Sequence, residues 1–324
     1  MMSLNYLMPI KSDRGRDIGE LARYLNDLSD SARVIVVDGS PPEVFDAHRA
    51  LLSSAVTHVR PAEDVRFRNG KVNGVVTGFR LCGSDKVVIA DDDVRYEPAQ
   101  LHRLELALDT AELVRPQNYF RPLPWHARWD TARSLLNRAV IGTDFPGTLA
   151  LRLNPQLRAA GYDGDVLFEN LELIRTIRAA GGRERLMPDL YVRRLPPSAG
   201  HFVRQRVRQA YDSFAQPGRM ILELALLPAF VLLRRRPVRL GALLGAAVGL
   251  AEIGRRRGRG HLVFPPQAVW FTPAWLAERS VCSWLALANR VLFGGVRYSG
   301  GRIRRAAHSD AELRRHSRAH SRSG

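Results

Sequence analysis

The sequence contains little cysteine, little lysine and no recognisable export signal. Its two cysteines, Cys82 and Cys282, lie 200 positions apart in 324 residues. This spacing excludes a disulfide framework and a cysteine-based metal knuckle, and it is typical of a protein from a reducing compartment. The first residues, MMSLNYLMPIKSDRG, lack the long apolar core of a signal peptide. We therefore expect any catalytic part to stay in the cytoplasm.

Acidic residues are scarce in the second half of the chain. From Arg219 onward, 19 arginines face five acidic residues, a net charge of +14, whereas the first 218 residues carry only +3. An anionic membrane surface and nucleic acid are the partners that such a basic region favours. A proteome rich in arginine is the alternative, because only three of the 49 basic residues are lysines. The two halves are expected to have different roles.

The first half alternates apolar strand patterns with helical patterns. Strands are predicted at NYLMPI, ARVIVVD and KVVIA, and helices at IGELARYLNDL, VFDAHRALLSSA, GKVNGVVTGFRLC and PAQLHRLELALDTA. Such alternation predicts an α/β fold with a mostly parallel sheet flanked by helices. Ligands of these sheets bind beyond the carboxyl ends of the strands, where Asp38 and Asp91–Asp93 are placed.

The segment 115–160 is rich in proline and tryptophan and is predicted to lack regular structure. Its Trp125, His126 and Trp129 would either stack against a sugar or lipid-like acceptor or cap the core beneath a long loop. A turn and a helix are predicted in GYDGDVLFENLELIRTIRAAGG, and a basic helix in HFVRQRVRQAYDSF closes the first half.

Three consecutive aspartates follow the apolar run KVVIA. In an extended segment, residues two positions apart project to the same side, so Asp91 and Asp93 can converge on one cation. Hard divalent cations prefer carboxylate oxygens and usually also bind substrate phosphates. The alternative is a solvated turn at the end of a strand. The position after a buried strand, together with Asp38 after another, favours a metal–diphosphate site.

Five motifs in order resemble the family 2 glycosyltransferases with the GT-A fold. They are VIVVDGSPP, GKVNGVVTG, VVIADDDVRYEPAQL, GYDGDVLFENLELIRTIRAAGG and FVRQRVRQ, and together they span about residues 3–212. The resemblance is stronger to the membrane-associated branch that includes ceramide glucosyltransferase and the hyaluronan and cellulose synthases. It implies a GT-A nucleotide-diphospho-sugar transferase fold, a nucleotide-diphosphate sugar donor and a Mg²⁺ or Mn²⁺ cofactor.

The resemblance also assigns site residues. It implies nucleotide-sugar-binding roles for Asp38, Gly39, Lys71, Asn73, Asp92, Gly147, Thr148, Gln205 and Arg208. Asp91 and Asp93 would hold the metal ion. His201 would be a third metal ligand, as in some GT-A enzymes, or an ordinary hydrogen-bonding residue.

The expected catalytic base departs from the family pattern. The family has an acidic residue followed by Asp after the GYDGD-like turn, whereas this sequence has Glu169 and Asn170. An amide cannot accept the proton of an acceptor hydroxyl, so we expect Glu169, or else Asp165, to act as the base. Alternatively, Glu169 is simply a favourable acid in the first turn of a helix. Gln209 replaces the family's tryptophan, which leaves the acceptor open.

The basic half carries two apolar runs, residues 220–233 and 240–253, each shorter than the about 20 residues that span a bilayer. They predict a helical membrane-associated region at 219–305 after a catalytic domain at 1–218, with a disordered basic tail at 306–324. The runs would lie in or dip into the inner leaflet. A buried helical pair and a two-helix span are the alternatives.

The predicted function is a metal-dependent inverting glycosyltransferase at the cytoplasmic face of the cell membrane. It would move a sugar to a lipid, glycan or small hydroxylated acceptor and would contact an anionic membrane surface. One alternative is a degenerate protein that binds a nucleotide sugar without transferring it. Another is an arginine-rich nucleic-acid-binding protein. No nucleic-acid partner is expected, because the arginines flank apolar runs rather than base-stacking aromatics.

Overall fold

The computed structural model describes residues 3–12, 18–298 and 301–320. The strands in this part of the chain are Leu4–Ile10 (β1), Arg33–Asp38 (β2), Thr57–Val59 (β3), Lys86–Ala90 (β4), Val94–Arg95 (β5), Leu113–Phe120 (β6), Thr148–Arg152 (β7), Glu184–Arg194 (β8), Val296–Tyr298 (β9) and Gly301–Ile303 (β10). The α-helices are Gly19–Leu28 (α1), Pro42–Leu51 (α2), Gly70–Leu81 (α3), Pro98–Ala107 (α4), Trp125–Ile141 (α5), Pro155–Ala160 (α6), Glu169–Ala179 (α7), Ala199–Tyr211 (α8), Pro217–Leu233 (α9), Pro237–Arg256 (α10), Thr272–Phe293 (α11) and Asp310–His320 (α12).

The chain divides into two compact units. The first unit comprises Met1–Pro116, Pro146–Met187 and His308–Gly324, and the second comprises Gln117–Phe145 and Pro188–Ala307. The chain passes from one unit to the other within β6 and β8. These units do not follow the boundaries at 218 and 305 expected from composition, because composition reports charge and hydropathy and not which segments pack together.

The first unit is built on a mixed sheet. One sheet has the strand order β3-β2-β1-β4-β7-β6-β8-β5. The pairs β3–β2, β2–β1 and β1–β4 are parallel, whereas β4–β7 and β7–β6 are antiparallel. In the parallel register, Ile10 lies opposite Asp38, and Leu7 lies opposite Ile89. The strand ends that precede Gly39 and Asp91 therefore lie at the same edge of the sheet, as the alternation predicts.

Burial explains why the parallel strands read as continuous apolar runs. All residues of β2 after Arg33 and all residues of β4 after Lys86 are buried. A strand covered on both faces loses the apolar–polar alternation of a half-exposed strand. The α/β class expected from the sequence is confirmed, with a parallel half and an antiparallel half in the sheet.

The second unit is mainly helical. Its α10 packs closely against α5, where a Cβ at Gly254 would lie 1.8 Å from the Leu135 carbonyl oxygen. The Arg138 side chain is fully buried and donates to Gly254 O at 3.0 Å, to Gln117 Oε1 at 2.9 Å and to the Tyr191 hydroxyl at 2.9 Å. These acceptors satisfy a buried guanidinium, which would otherwise be costly. Arg138 therefore joins the end of α10 to the rest of this unit.

Much of the apolar surface of α9, α10 and α11 is exposed. In the part of the chain that the structure describes, one helical segment, Pro237–Leu262, has the length and composition to cross a bilayer, and 11% of its most apolar stretch is buried. The helices predicted from the two apolar runs, α9 and α10, are both present. Exposure on this scale is unusual for a helix in water, where apolar faces normally pack against a core.

The prediction that 115–160 lacks regular structure is wrong. This segment contains most of β6, all of α5, and β7 and α6. The segment LVRPQNYF forms β6, but its proline and polar residues do not give the sequence pattern of a strand. Pairing with β7 fixes its register. The helix α5 has Pro124 before its first residue and Gly142 in the left-handed region after its last, and both positions suit those residues.

The tail expected to be disordered also contains structure. Helix α12 packs against α7, and His308 just before it donates its backbone N–H to Glu172 Oε2 at 2.7 Å. The His308 Nδ1 lies 2.9 Å from Glu172 Oε1. A polar, arginine-rich composition favours disorder only where no partner is present. Here a fully buried carboxylate on α7 provides one.

Candidate active site

A partly buried lysine contacts two acidic residues of the first unit, one directly after β4 and one at the start of α7. The Lys71 Nζ lies 2.5 Å from Asp91 Oδ1 and 2.7 Å from Glu169 Oε1. It also donates to Asn170 Oδ1 at 3.4 Å. The three charged side chains are only 12–21% exposed. The structure therefore brings four of the predicted site residues into one cluster, which we call the Lys71 cluster.

The position of Lys71 is fixed by the start of α3. Asn69 precedes the helix, and its Oδ1 accepts a hydrogen bond from Lys71 N at 3.2 Å, which is the usual N-cap contact. One turn further, α3 lies so close to β1 that a Cβ at Gly74 would be 2.7 Å from Pro9 Cβ. Glycine at this position allows the helix to pack against the sheet and sets the depth of Lys71.

The segment 146–148 connects the aspartate turn to α7. Asp91 N donates to Gly147 O at 2.9 Å, and Asn170 Nδ2 donates to Pro146 O at 3.1 Å. The Thr148 hydroxyl is buried, donates to Ile89 O at 2.6 Å and lies 2.9 Å from the Tyr96 hydroxyl. Gly147 and Thr148 therefore fix the position of the aspartate turn through hydrogen bonds with Asp91 and Ile89. In this structure the Thr148 side chain faces the core.

The charges of the Lys71 cluster explain its protonation. Burial disfavours the charged ammonium, but Asp91 and Glu169 outweigh it and raise the pKa of Lys71 well above its usual range. Lys71 is therefore a permanent cation at neutral pH. A cation held between two carboxylates fixes their separation.

The residues present fit a divalent cation only in part. Asp91 and Asp93 supply the carboxylate oxygens that Mg²⁺ and Mn²⁺ prefer. Within the described residues, no group of three His, Cys, Asp or Glu side chains is arranged to hold a metal ion. The remaining ligands of a cation at these aspartates would have to come from a phosphate-bearing substrate and water. Such incomplete protein ligation is usual for magnesium sites that bind with a diphosphate.

Asp38 lies inside the first unit rather than at its surface. Its carboxylate is fully buried and lies 2.7 Å from His48 Nδ1 and 3.1 Å from His58 Nε2, and it accepts from Ser40 N at 2.9 Å. Burial alone would raise its pKa, but hydrogen bonds from His58, Ser40 and His48 lower the pKa of Asp38 well below its usual range. A nucleotide base could contact this carboxylate only by displacing one of these donors.

Three other predicted residues shape the loops around the site. The Asn73 side chain bonds both backbone groups of Phe67, at 2.7 and 3.1 Å. Gly39 N donates to Ile10 O at 2.9 Å. The exposed Asp165 accepts from Arg68 N at 2.9 Å, so its carboxylate already closes the loop before α3. Of the candidate bases, Glu169 is the one whose carboxylate lies in the Lys71 cluster.

The predicted residues on α5 and α8 belong to the second unit. His201, Gln205 and Arg208 lie on one side of α8 and line the same cleft. Gln205 Nε2 contacts His201 Nε2. Trp125, His126 and Trp129 pack around Phe202, with ring centroids 5.7–6.1 Å from it, and Trp125 is 49% exposed. The aromatic residues therefore form a partly exposed cluster on α5 and α8.

Sequence reasoning missed several residues that build the site. Asn69 accepts from Lys71 N through its side-chain oxygen, and Pro146 accepts from Asn170 through its backbone carbonyl. His48 and His58 contact Asp38 from α2 and β3. The asparagine was detectable, since it stands directly before a predicted helix. The histidines were not detectable, because their meeting depends on the packing of α2 beside β3.

No protein-family model matches the chain, and no curated protein matches it significantly. Among solved structures, it is similar to the mannosyltransferase PcManGT from Pyrobaculum calidifontis, solved with GDP-Man and Mn²⁺. The identity is 19% and the TM-score 0.52, over 90% of this chain and 87% of that chain.

Two further structures align with lower scores. Glucosyl-3-phosphoglycerate synthase from Mycobacterium tuberculosis, solved with Mn²⁺, UDP and phosphoglyceric acid, has 16% identity and a TM-score of 0.41, over 62% of this chain and 74% of that chain. A putative nucleotide-diphospho-sugar transferase from Desulfovibrio desulfuricans has 10% identity and a TM-score of 0.38, over 64% and 88%. The fold assignment rests on the mannosyltransferase alone, and it confirms the predicted GT-A fold.

Proposed function

We propose that this protein is a metal-dependent glycosyltransferase that uses a nucleotide-diphosphate sugar. The observation that carries the proposal is the Lys71 cluster, in which Asp91 and Glu169 meet at the sheet edge of a GT-A fold. A sugar leaving a diphosphate builds negative charge on the leaving oxygen, and an acceptor hydroxyl must lose a proton as it attacks. The cluster places a cation, a metal-binding acid and a candidate base together.

The contacts around Lys71 support the following proposed roles. Asp91 and Asp93 would hold Mg²⁺ or Mn²⁺, which when bound stabilises charge on the diphosphate. Lys71 would add a fixed positive charge beside the diphosphate oxygens. Its Nζ lies 2.7 Å from Glu169 Oε1 and so orients the Glu169 carboxylate. Asp92 would contact the donor from the same turn. Asn170 donates its amide to Pro146 O, so its role is to position α7 rather than to accept a proton.

The order of the family motifs supports the family 2 assignment and, with it, inversion at the anomeric carbon. In an inverting transfer the acceptor attacks from the side opposite to the leaving diphosphate. One base then suffices, and Glu169 is our assignment. Asp38 and Gly39 would line the base pocket, and the donor contacts that the resemblance implies for Gln205 and Arg208 stay a prediction.

Thermal unfolding with nucleotides tests this proposal directly. GDP and UDP come first, since the aligned structures contain GDP-Man and UDP. A ligand at about a hundredfold excess over its Kd stabilises the native state by about 2.7 kcal/mol. We expect such a rise in Tm with Mn²⁺ present, its loss on chelation and its loss in Asp93→Asn. The same shift in that variant without metal would refute the metal role.

The second unit supports membrane association. Its exposed apolar residues on α9 include Ile221, Leu222, Val231 and Leu232, which are 50–76% exposed. Arginines 234–236 and 255–257 stand at both ends of α10, where they would meet anionic headgroups at about 1 kcal/mol per charge. We propose that this unit lies on the cytoplasmic face of the cell membrane. The acceptor is then a lipid, a glycan or a small hydroxylated molecule that arrives there.

A degenerate nucleotide-sugar-binding protein is the second candidate function, favoured by the amide at Asn170. The variant Asn170→Asp separates the two. Little change in transfer, or a loss because the contact with Pro146 O is broken, supports the active enzyme. A gain of about 10²-fold or more would show that the natural protein lacks its base.

A further inference from the structure

The second unit contains a cleft lined by cationic side chains. The cleft has a volume of about 580 Å³. Its lining residues are His201, Arg204, Gln205, Val207, Arg208, Asn289, Phe293, Val296, Arg297 and Arg302. Four of them are arginines, and no Asp or Glu occurs among these lining residues. We call this the arginine cleft.

The arginines of the cleft come in two like-charged pairs. Arg204 and Arg208 are four residues apart on α8, and like charges at this spacing destabilise a helix. Arg297 and Arg302 lie directly opposite each other in the β9–β10 ladder, where like charges also repel. Helix α8 and the β9–β10 ladder therefore each contain an unfavourable pair of arginines, and both pairs line the arginine cleft. Folding alone does not require this arrangement, whereas an anion in the cleft would relieve both repulsions.

Two of the four guanidinium groups are held in place by aromatic rings. Arg208 lies over the Tyr298 ring at 4.5 Å from its centroid, and Arg302 lies over the Phe293 ring at 5.0 Å. Arg302 Nη1 also donates to Gly295 O at 2.8 Å. Stacking orients a guanidinium while leaving its N–H edge available. The other two, Arg204 and Arg297, are exposed and have no acidic partner in the described ranges.

We propose that the arginine cleft binds a phosphate monoester. A phosphate monoester presents three charged oxygens, and guanidinium groups bind such oxygens through paired, charge-assisted hydrogen bonds. The rim beside the cleft is apolar, with Val203 61%, Leu292 71% and Phe293 56% exposed. Apolar contacts next to the phosphate suit a lipid that carries it. The test of this site measures phosphate binding and does not depend on transfer activity.

The test measures binding to the full-length protein in non-ionic detergent and to vesicles. Inorganic phosphate is titrated by calorimetry, and phosphatidylcholine vesicles are doped with phosphatidic acid, a phosphate monoester, or with phosphatidylglycerol, a diester. The double variant Arg204→Glu with Arg297→Glu is compared with Arg121→Glu with Arg128→Glu. The control changes the same charge at exposed arginines in the same unit, outside the cleft.

We expect phosphate or phosphatidic acid to bind at least about tenfold more weakly to the cleft variant, because charge-assisted bonds are lost, while the control changes about twofold or less. Stronger binding to phosphatidic acid vesicles assigns the lipid as ligand. Binding of inorganic phosphate without that preference assigns a free phosphate ester. Equal losses in both variants, or full affinity in the cleft variant, would overturn the site. If the cleft variant does not fold, Arg204→Gln with Arg297→Gln answers the same question.

Discussion

The two units of this protein differ in the surroundings of their candidate sites and in how much apolar surface they expose. In the first unit, the charges of the candidate site are paired inside the fold, with Lys71 between Asp91 and Glu169, and Asp38 beside two histidines. In the second unit, arginines line an open cleft and stand at the helix ends. Among the described residues, three exposed large apolar side chains belong to the first unit and twenty to the second, so the second has the surface to meet lipid.

This difference indicates a division of tasks along one chain. A site that stabilises developing charge works best where water is excluded and the charges are fixed beforehand. A surface that binds a membrane needs the reverse, with apolar side chains and cations open to the outside. The paired charges at the candidate site of the first unit and the exposed apolar side chains of the second suit the two roles proposed above. Substitutions in one unit should therefore have effects of a different kind from substitutions in the other.

The largest expected effect concerns the candidate base of the first unit. Glu169→Gln should lower transfer by about 10²–10⁴-fold, since an amide cannot take the acceptor proton, while donor binding with Mn²⁺ is retained. Initial rates and nucleotide titrations measure the two quantities separately. The exposed Glu43→Gln is the matched control and should behave like the natural protein. Wild-type rates for Glu169→Gln would remove Glu169 from the mechanism.

The next effect compares a buried ion pair with a surface one. Lys71→Met should destabilise the fold by about 3 kcal/mol, because it leaves two neighbouring carboxylates without their cation. Arg80→Met breaks a pair with Asp64 in which the two side chains are 37% and 66% exposed, and it should cost far less. Urea unfolding measures both. We further expect Mn²⁺ to restore part of the loss in Lys71→Met only. Equal destabilisation in the two variants would contradict the burial argument.

A smaller effect follows from the buried carboxylate of the first unit. Hydrogen bonds lower the pKa of Asp38 in the folded state. Its contribution to the free energy of unfolding is therefore complete above the pKa of an unfolded aspartate, about 3.9, and is lost as the pH falls below that value. We expect about 2 kcal/mol to disappear on acidification, and Asp38→Asn to lack that acid-dependent part. Unfolding free energies measured from neutral to acid pH show this. Asp46→Asn, at an exposed position, should keep the full pH dependence.

The smallest effect tests the apolar surface of the second unit. Val231→Ser with Leu232→Ser should weaken binding to anionic vesicles by about tenfold, as expected for two apolar side chains removed from the interface. The pair Leu51→Ser with Leu106→Ser changes similar exposed side chains in the first unit and should have no effect on vesicle binding. Cosedimentation at several lipid concentrations measures both. A similar loss in the two pairs would abolish the proposed division of tasks.

The predictable part of the fold is the part held by local patterns. Buried strands such as Arg33–Asp38 and helices with clear punctuation, such as Gly70–Leu81, follow from apolar runs and from their caps. The antiparallel half was not predictable, because β6 and β7 contain polar or proline residues and are defined by pairing with distant strands. The joining of residues 308–320 to the first unit depends on a contact with Glu172 across 136 positions.

The site divides in the same way. Spacing and motif order bring out Asp91, Lys71 and Glu169, and the structure joins these three in one cluster. Spacing does not show that the Asp38 carboxylate is enclosed by His48 and His58, or that the Thr148 hydroxyl faces Tyr96. These outcomes depend on how helices and strands pack, and no local pattern in the sequence encodes them.

The contact between His308 and Glu172 also affects how the protein is made. The helix that carries Glu169 receives this neighbour from a segment that the ribosome adds more than a hundred residues later. All of the second unit is synthesised before that segment emerges. The helix that carries the candidate base therefore completes its packing only after the whole second unit has been synthesised.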